Sequence, residues 1–160
     1  MKLPFYVYPI KEVVFGEYIK HWCALPYPNH KKGCPNYNKH PDCPPNSPDF
    51  SDFFDVLEGL WVVHSNFNLK AHSEYMKRKH PKWTDRQCRN VLYWQSRSKK
   101  QMKERVKEAS VLFGTNQVHY FPEALGVHMY VTCLKAGLKL ERIKDITECK
   151  HTAMIGFKKE

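Results

Sequence analysis

Apolar and polar positions change their spacing several times along the chain, and each change marks a different predicted element. Phe5 to Phe15 are aromatic and β-branched with Pro4 and Pro9 interrupting, which predicts one or two short strands at a sheet edge. Leu60 to Phe67, LWVVHSNF, reads as a central strand. Asn68 is placed to cap a helix that runs to about Lys79, before Pro81 ends it. Thr84 and Gln87 have capping-box spacing and open a long helix reaching about Ala109. On it Cys88, Val91, Leu92, Met102, Val106 and Ala109 form one apolar stripe at the helical period, the predicted buried face.

After a turn at Gly114, VHYF reads as a strand, and Pro122 and Glu123 start a helix that Gly137 ends. LKLERI and TAMIGF alternate as two strands able to pair as a hairpin with a long connection. The expected architecture is an α/β (α+β) sandwich, a mixed sheet with helices packed on it, in a single domain over residues 1–160.

Residues 22–48 break this regularity. Between Trp22 and Pro45 lie three of the six cysteines and six of the eleven prolines. Each proline removes a backbone donor and restricts its predecessor, so neither helix nor strand is expected. Trp22, Tyr27 and Tyr37, with almost no Ser or Gly, point to an ordered loop rather than a linker.

Charge changes the picture next. The net charge is +10, and residues 68–107 hold thirteen Lys and Arg against Glu74, Asp85 and Glu104, while the rest of the chain has thirteen of each sign. This basic helical segment, 68–110, interleaves its cations with Tyr75, Trp83, Tyr93 and Trp94, a composition that suits RNA or single-stranded DNA. A solvated helix face, with Lys100 and Glu104 four apart and Trp94 and Tyr93 in the core, explains the same pattern. The opening MKLPFYVYPIKEVVF has no signal-segment pattern and no run of eighteen apolar residues occurs, so a cytoplasmic protein without a membrane role is expected.

In a reducing compartment clustered cysteines more often bind metal than form disulfides. Cys23, Cys34 and Cys43 are separated by ten and eight residues, unlike common zinc ribbons or bacterial ferredoxins. Cys34-Pro35 and Cys43-Pro44-Pro45 fix the chain direction beyond each sulfur, and Gly33 permits close backbone approach. Repelling thiolates need a cation, and soft sulfur selects zinc, copper(I) or an iron-sulfur cluster. Three reduced surface thiols, or a zinc site completed by His30 or His40, are the alternatives at this point; His21 is a further flanking histidine.

The stretches GCPNYNKHPDCPP, RQCRNVLYWQSRSKKQMKERV and FPEALGVHMYVTCLKAGLKLERI resemble a family of predicted metal-binding proteins of unknown function, thought to carry iron-sulfur clusters. The likeness runs from about Trp22 to Gly156, with the Cys-Pro-Asn-Tyr to Cys-Pro-Pro and Pro-Glu-Ala-Leu-Gly-Val stretches the most specific. It implies cluster ligands at Cys34 and Cys43 directly, and at Cys23 by position. Many relatives have more cysteines before the Pro-Glu-Ala stretch, whereas LFGTNQVHYFPEA has none, so one cluster, a [4Fe-4S], is expected.

Three cysteines leave one iron of a cubane free. Cys88, in the first turns of a helix whose dipole favours an anionic cluster, is the fourth-ligand candidate; it also lies on the apolar stripe as a small core residue. Cys133 is expected in the core and Cys149 at the surface. A closed cluster would transfer electrons to a redox partner or brace the loop; an open iron could act on a substrate atom as a Lewis acid. No Ser-His-Asp order, Gly-rich phosphate loop or HExxH helix is present, so no metal-free enzyme is indicated. A zinc-stabilised nucleic-acid-binding module and a metal-free interaction protein are the rival readings.

Overall fold

The computed structural model describes residues 2–27, 29–142 and 146–160. Its centre is a four-stranded sheet in the order β1 (Val7–Pro9), β2 (Leu60–His64), β6 (Thr152–Gly156), β4 (Gln117–His119). Each ladder in it is antiparallel, with Val7 opposite Val63, Val62 opposite Met154 and Val118 opposite Ile155. With helices on both faces this is an α+β fold.

Alternation along β2 and β6 decides the two faces. Val62 and Met154 point to one core with Phe50 and Phe54, from α2 (Phe50–Phe53) and its end, and with Leu125, Met129 and Cys133. Met129 and Cys133 belong to α6 (Met129–Lys135). Val63, Ala153 and Ile155 point the other way, onto Met102, Val106 and Ala109 of α5 (Gln95–Phe113). Trp61 of β2 stacks on Phe113 at 4.5 Å, fixing the end of α5 against the sheet.

Beyond His64 the chain bends at Ser65 and Asn66 and forms β3 (Phe67–Asn68), which pairs with β5 (Glu148–Cys149) as a separate two-stranded ladder. Asn68 then caps α3 (Leu69–Lys79), its Oδ1 accepting the Ala71 N–H at 2.9 Å. The expected strand 60–67 is therefore interrupted, while its first five residues do lie inside the sheet.

Three further expected elements differ. The long helix from Thr84 is divided into α4 (Asp85–Cys88), a 3-10 turn (Val91–Tyr93) and α5. Its capping box is formed, with Thr84 Oγ1 accepting the Gln87 N–H and Gln87 Oε1 accepting the Thr84 N–H. The break has two local causes: Asn90 Oδ1 caps the next turn by accepting the Leu92 N–H, and the Trp94 indole N–H donates to the Arg89 carbonyl. Val91 and Leu92 consequently face solvent, whereas Cys88, Met102, Val106 and Ala109 are buried as the stripe requires.

The helix expected from Pro122 is a 3-10 turn (Pro122–Leu125) followed by α6, because Gly126 adopts a left-handed φ of 85° between them. Its end near Gly137 is as expected. The hairpin of LKLERI with TAMIGF does not form: residues 138–142 have no strand structure, Ile143 lies outside the described residues, and β6 pairs with β2 and β4 instead.

Candidate metal-binding loop

The cysteine loop begins at α1 (Glu17–Lys20) and a 3-10 turn (His21–Ala24) and ends at α2. Between them lie turns and bends with one isolated Tyr27–His30 bridge, as the prolines dictate. Lys20 holds both ends together. Although buried, its ammonium donates to the Ser47 carbonyl at 2.8 Å and to Asp49 Oδ1 at 2.7 Å. That bond holds the Asp49 carboxyl below its usual pKa. The Ser47 hydroxyl donates to the Ala124 carbonyl at 2.5 Å, and Trp22 meets the His128 ring edge-on at 5.1 Å, so the loop is pinned to the Pro122 turn and the start of α6.

Inside the loop the cysteines are placed by backbone bonds. The Cys34 N–H donates to the Cys23 carbonyl at 2.7 Å. Gly33 makes this approach possible: its φ is +83°, and a Cβ there would come within 2.6 Å of the Cys23 carbonyl oxygen. The close approach is thus to the loop's own backbone. Cys34 accepts from Tyr37 N–H, Cys43 accepts from Asn46 and Ser47 N–H, and the Asn38 N–H donates to the Pro44 carbonyl at 2.7 Å. This last bond folds the second cysteine stretch back onto the first.

All three thiols are half-buried and unpaired. Burial raises the Cys23 pKa first, and the charges of Cys34, Cys43 and Glu123 raise it further. Burial, Cys34 and Asp42 raise Cys43 in the same way. The charge of Cys34 thus disfavours that of Cys23 and Cys43, and a bound cation would relieve this. Among the described residues no three His, Cys, Asp or Glu side chains form a ready set of metal ligands. The donor chemistry of three thiols in one loop suits a soft metal or an iron-sulfur cluster.

The histidines and other cysteines are elsewhere engaged. The His30 ring lies against Tyr27 at 4.6 Å, and His40 Nδ1 accepts the Asp42 N–H at 3.1 Å. Cys88 is buried at the end of α4 and lines a recess with Lys70, Ser73 and Asp85; no residue of 22–48 lines that recess among those described. Cys23, Cys34 and Cys43 thus stay within one loop, while Cys88 belongs to the α3–α4 layer. Cys133 is in the core, its pKa pushed to about 12 by burial and then by Glu123. Cys149, expected at the surface, is buried in a small core with Leu69 and Trp94.

Sequence reasoning missed Glu123. It keeps surface open to solvent, yet surrounding protein crowds its carboxyl and raises the pKa. Its charge reaches both Cys23 and Cys133. Only its place in the Pro-Glu-Ala stretch hinted at it. The basic residues Lys99, Lys100, Lys103 and Lys107 line one side of α5. No described helix is long and apolar enough to cross a membrane.

No protein-family model, curated protein or solved structure matches the chain.

Proposed function

We propose that the 22–48 loop is a thiolate cradle for one iron-sulfur cluster, a [4Fe-4S], held by Cys23, Cys34 and Cys43. The observation that carries this reading is the backbone bond from the Cys34 N–H to the Cys23 carbonyl, which the positive φ of Gly33 permits, with the Asn38–Pro44 bond drawing the Cys43 stretch back towards the Cys34 stretch. The resemblance of GCPNYNKHPDCPP to a family of predicted metal-binding proteins supports the metal. Such a cluster supplies one-electron transfer, or a Lewis-acidic iron where only three ligands are protein sulfurs. The chain's own contribution is to hold the three sulfurs on a loop pinned by Lys20 and Ser47. In this reading Cys88 is a core residue and no fourth cysteine closes the cluster; a reducing, cytoplasmic setting keeps the thiols available.

The test is anaerobic purification with iron, sulfide and zinc measured per chain beside the visible spectrum, for the wild type, Cys34→Ser and Cys88→Ser. Near four irons and four sulfides in wild type and Cys88→Ser, and neither in Cys34→Ser, is expected. Loss of the cluster in Cys88→Ser would make Cys88 a ligand and favour electron transfer over substrate binding.

A second reading has its own observation, the lysine-lined side of α5, where the Lys103 ammonium also lies 5.6 Å from the Tyr120 ring centroid. It makes the protein a zinc-stabilised module that binds RNA or single-stranded DNA through α5. One zinc without sulfide, and salt-sensitive binding of a single-stranded oligonucleotide, would put it first.

A further inference from the structure

Beyond the cysteine loop, a crevice of about 690 Å³ opens between α4, the 3-10 turn after it and β5. No residue of 22–48 lines it among those described. Its volume is within the usual range for a small-molecule site. Its polar lining is donor-rich: Arg86, Arg89, Asn90, Gln95 and His151. Leu69, Ile146 and the edge of Trp94 supply apolar surface, and no carboxylate is among the described lining residues.

The groups are held in place from behind. Arg89 Nη2 donates to the Ile146 carbonyl at 2.8 Å, which orients its guanidinium and leaves its other N–H groups without a side-chain partner among the described residues. His151 is fixed by a closed ring of bonds. Its backbone N–H donates to Ser65 Oγ at 2.9 Å, Ser65 Oγ lies 2.8 Å from Ser98 Oγ, and Ser98 Oγ lies 2.7 Å from His151 Nδ1. Both serines are fully buried, so their protons must be used within this ring. Running Ser65 to Ser98 to His151 satisfies both hydroxyls, makes Nδ1 an acceptor and leaves Nε2 as the N–H donor. Burial and then Lys99 lower the His151 pKa, consistent with a neutral ring in that tautomer.

We propose that this crevice binds a small organic anion, a carboxylate or phosphate monoester carrying an apolar body, with Arg86, Arg89 and His151 meeting the anion and Leu69 and Ile146 the body. Two guanidinium groups with no carboxylate among the described lining residues select the charge, and the apolar wall selects against a bare inorganic ion.

Isothermal titration of the intact protein with phenyl phosphate, benzoate and inorganic phosphate tests this. Arg86 is exposed and forms no ion pair among the described residues, so Arg86→Gln leaves the fold in place. Saturable binding of an aryl anion is expected, weakened about tenfold in Arg86→Gln and unchanged in Lys103→Ala/Lys107→Ala on α5. The stronger of phenyl phosphate and benzoate identifies the anionic group. No saturable binding of either, binding indifferent to Arg86→Gln, or inorganic phosphate binding as tightly as the aryl compounds would each overturn the proposal.

Discussion

The Lys20 ammonium lies 2.7 Å from Asp49 Oδ1, joining the residue before the cysteine loop's first turn to the residue that opens α2. Lys20 is buried, so Asp49 is the charge that makes its burial tolerable. Asp49→Ala is expected to destabilise the fold by about 1–3 kcal/mol, less than for a wholly buried pair because Asp49 is half open to water. Urea denaturation measures it. The pH sign follows from the depressed Asp49 pKa: the contribution is present above the unfolded value and is lost as pH falls through the folded one. Asp49→Asn should therefore flatten the acid limb of the stability curve.

Gly33→Ala tests how the loop brings Cys34 to Cys23. The left-handed φ alone costs an alanine about 1–2 kcal/mol, and its Cβ meets the Cys23–Ala24 backbone, which has no flexible end to move. A lower melting temperature and faster reaction of the loop thiols with a disulfide reagent are expected. An unchanged melting temperature would mean that the Cys34–Cys23 approach does not stabilise the fold.

Cys133 gives an alkaline signature. Its folded pKa of about 12 stands above the ordinary thiol value of 9.0, so the buried protonated thiol contributes stability that is present below pH 9 and lost as pH rises towards 12. Cys133→Ala should show a shallower alkaline limb than the wild type, and in the native wild type Cys133 should resist alkylation that labels the half-buried loop thiols. Rapid labelling of native Cys133 would contradict its place in the core.

Trp94 separates α4 from α5 and stacks on Phe67 at 4.9 Å while its indole N–H holds Arg89. Trp94→Ala is expected to cost about 3–5 kcal/mol. Trp94→Phe keeps the ring and loses the indole bond, with a smaller cost of about 1 kcal/mol. Equal losses in the two variants, read by denaturant titration, would show that the hydrogen bond dominates rather than the packing.

Much of this was legible where one local cause acts alone. Asn68 and the Thr84–Gln87 box mark helix starts through their own side chains, and the prolines from Pro26 onward keep helix and strand out of the loop that follows the His21–Ala24 turn. The stripe of Met102, Val106 and Ala109 was legible because α5 is continuous there. Val91 and Leu92 misled because they extend that period across a break made by Asn90 and Trp94, two residues a periodic pattern simply absorbs. Glu123 was hidden because its importance is spatial: the Ser47–Ala124 bond brings the loop to it from about eighty residues away.

By itself, the sequence determined that three cysteines share a proline-rigid loop, that the positive charge is concentrated between residues 68 and 107, and that strands and helices combine in one small fold. These follow from composition and local sterics, which need no distant partner. Tertiary structure alone decided which strands pair. β6 could have joined the LKLERI segment, and instead lies between β2 and β4, where Met154 and Ile155 are buried on both faces of the sheet. It also set Cys88 apart from the loop, because Cys88 shares its apolar period with α5 but lines a recess with Lys70 and Ser73 of α3. Covalent spacing limits which residues can meet, and the burial of two opposed sheet faces selects among them.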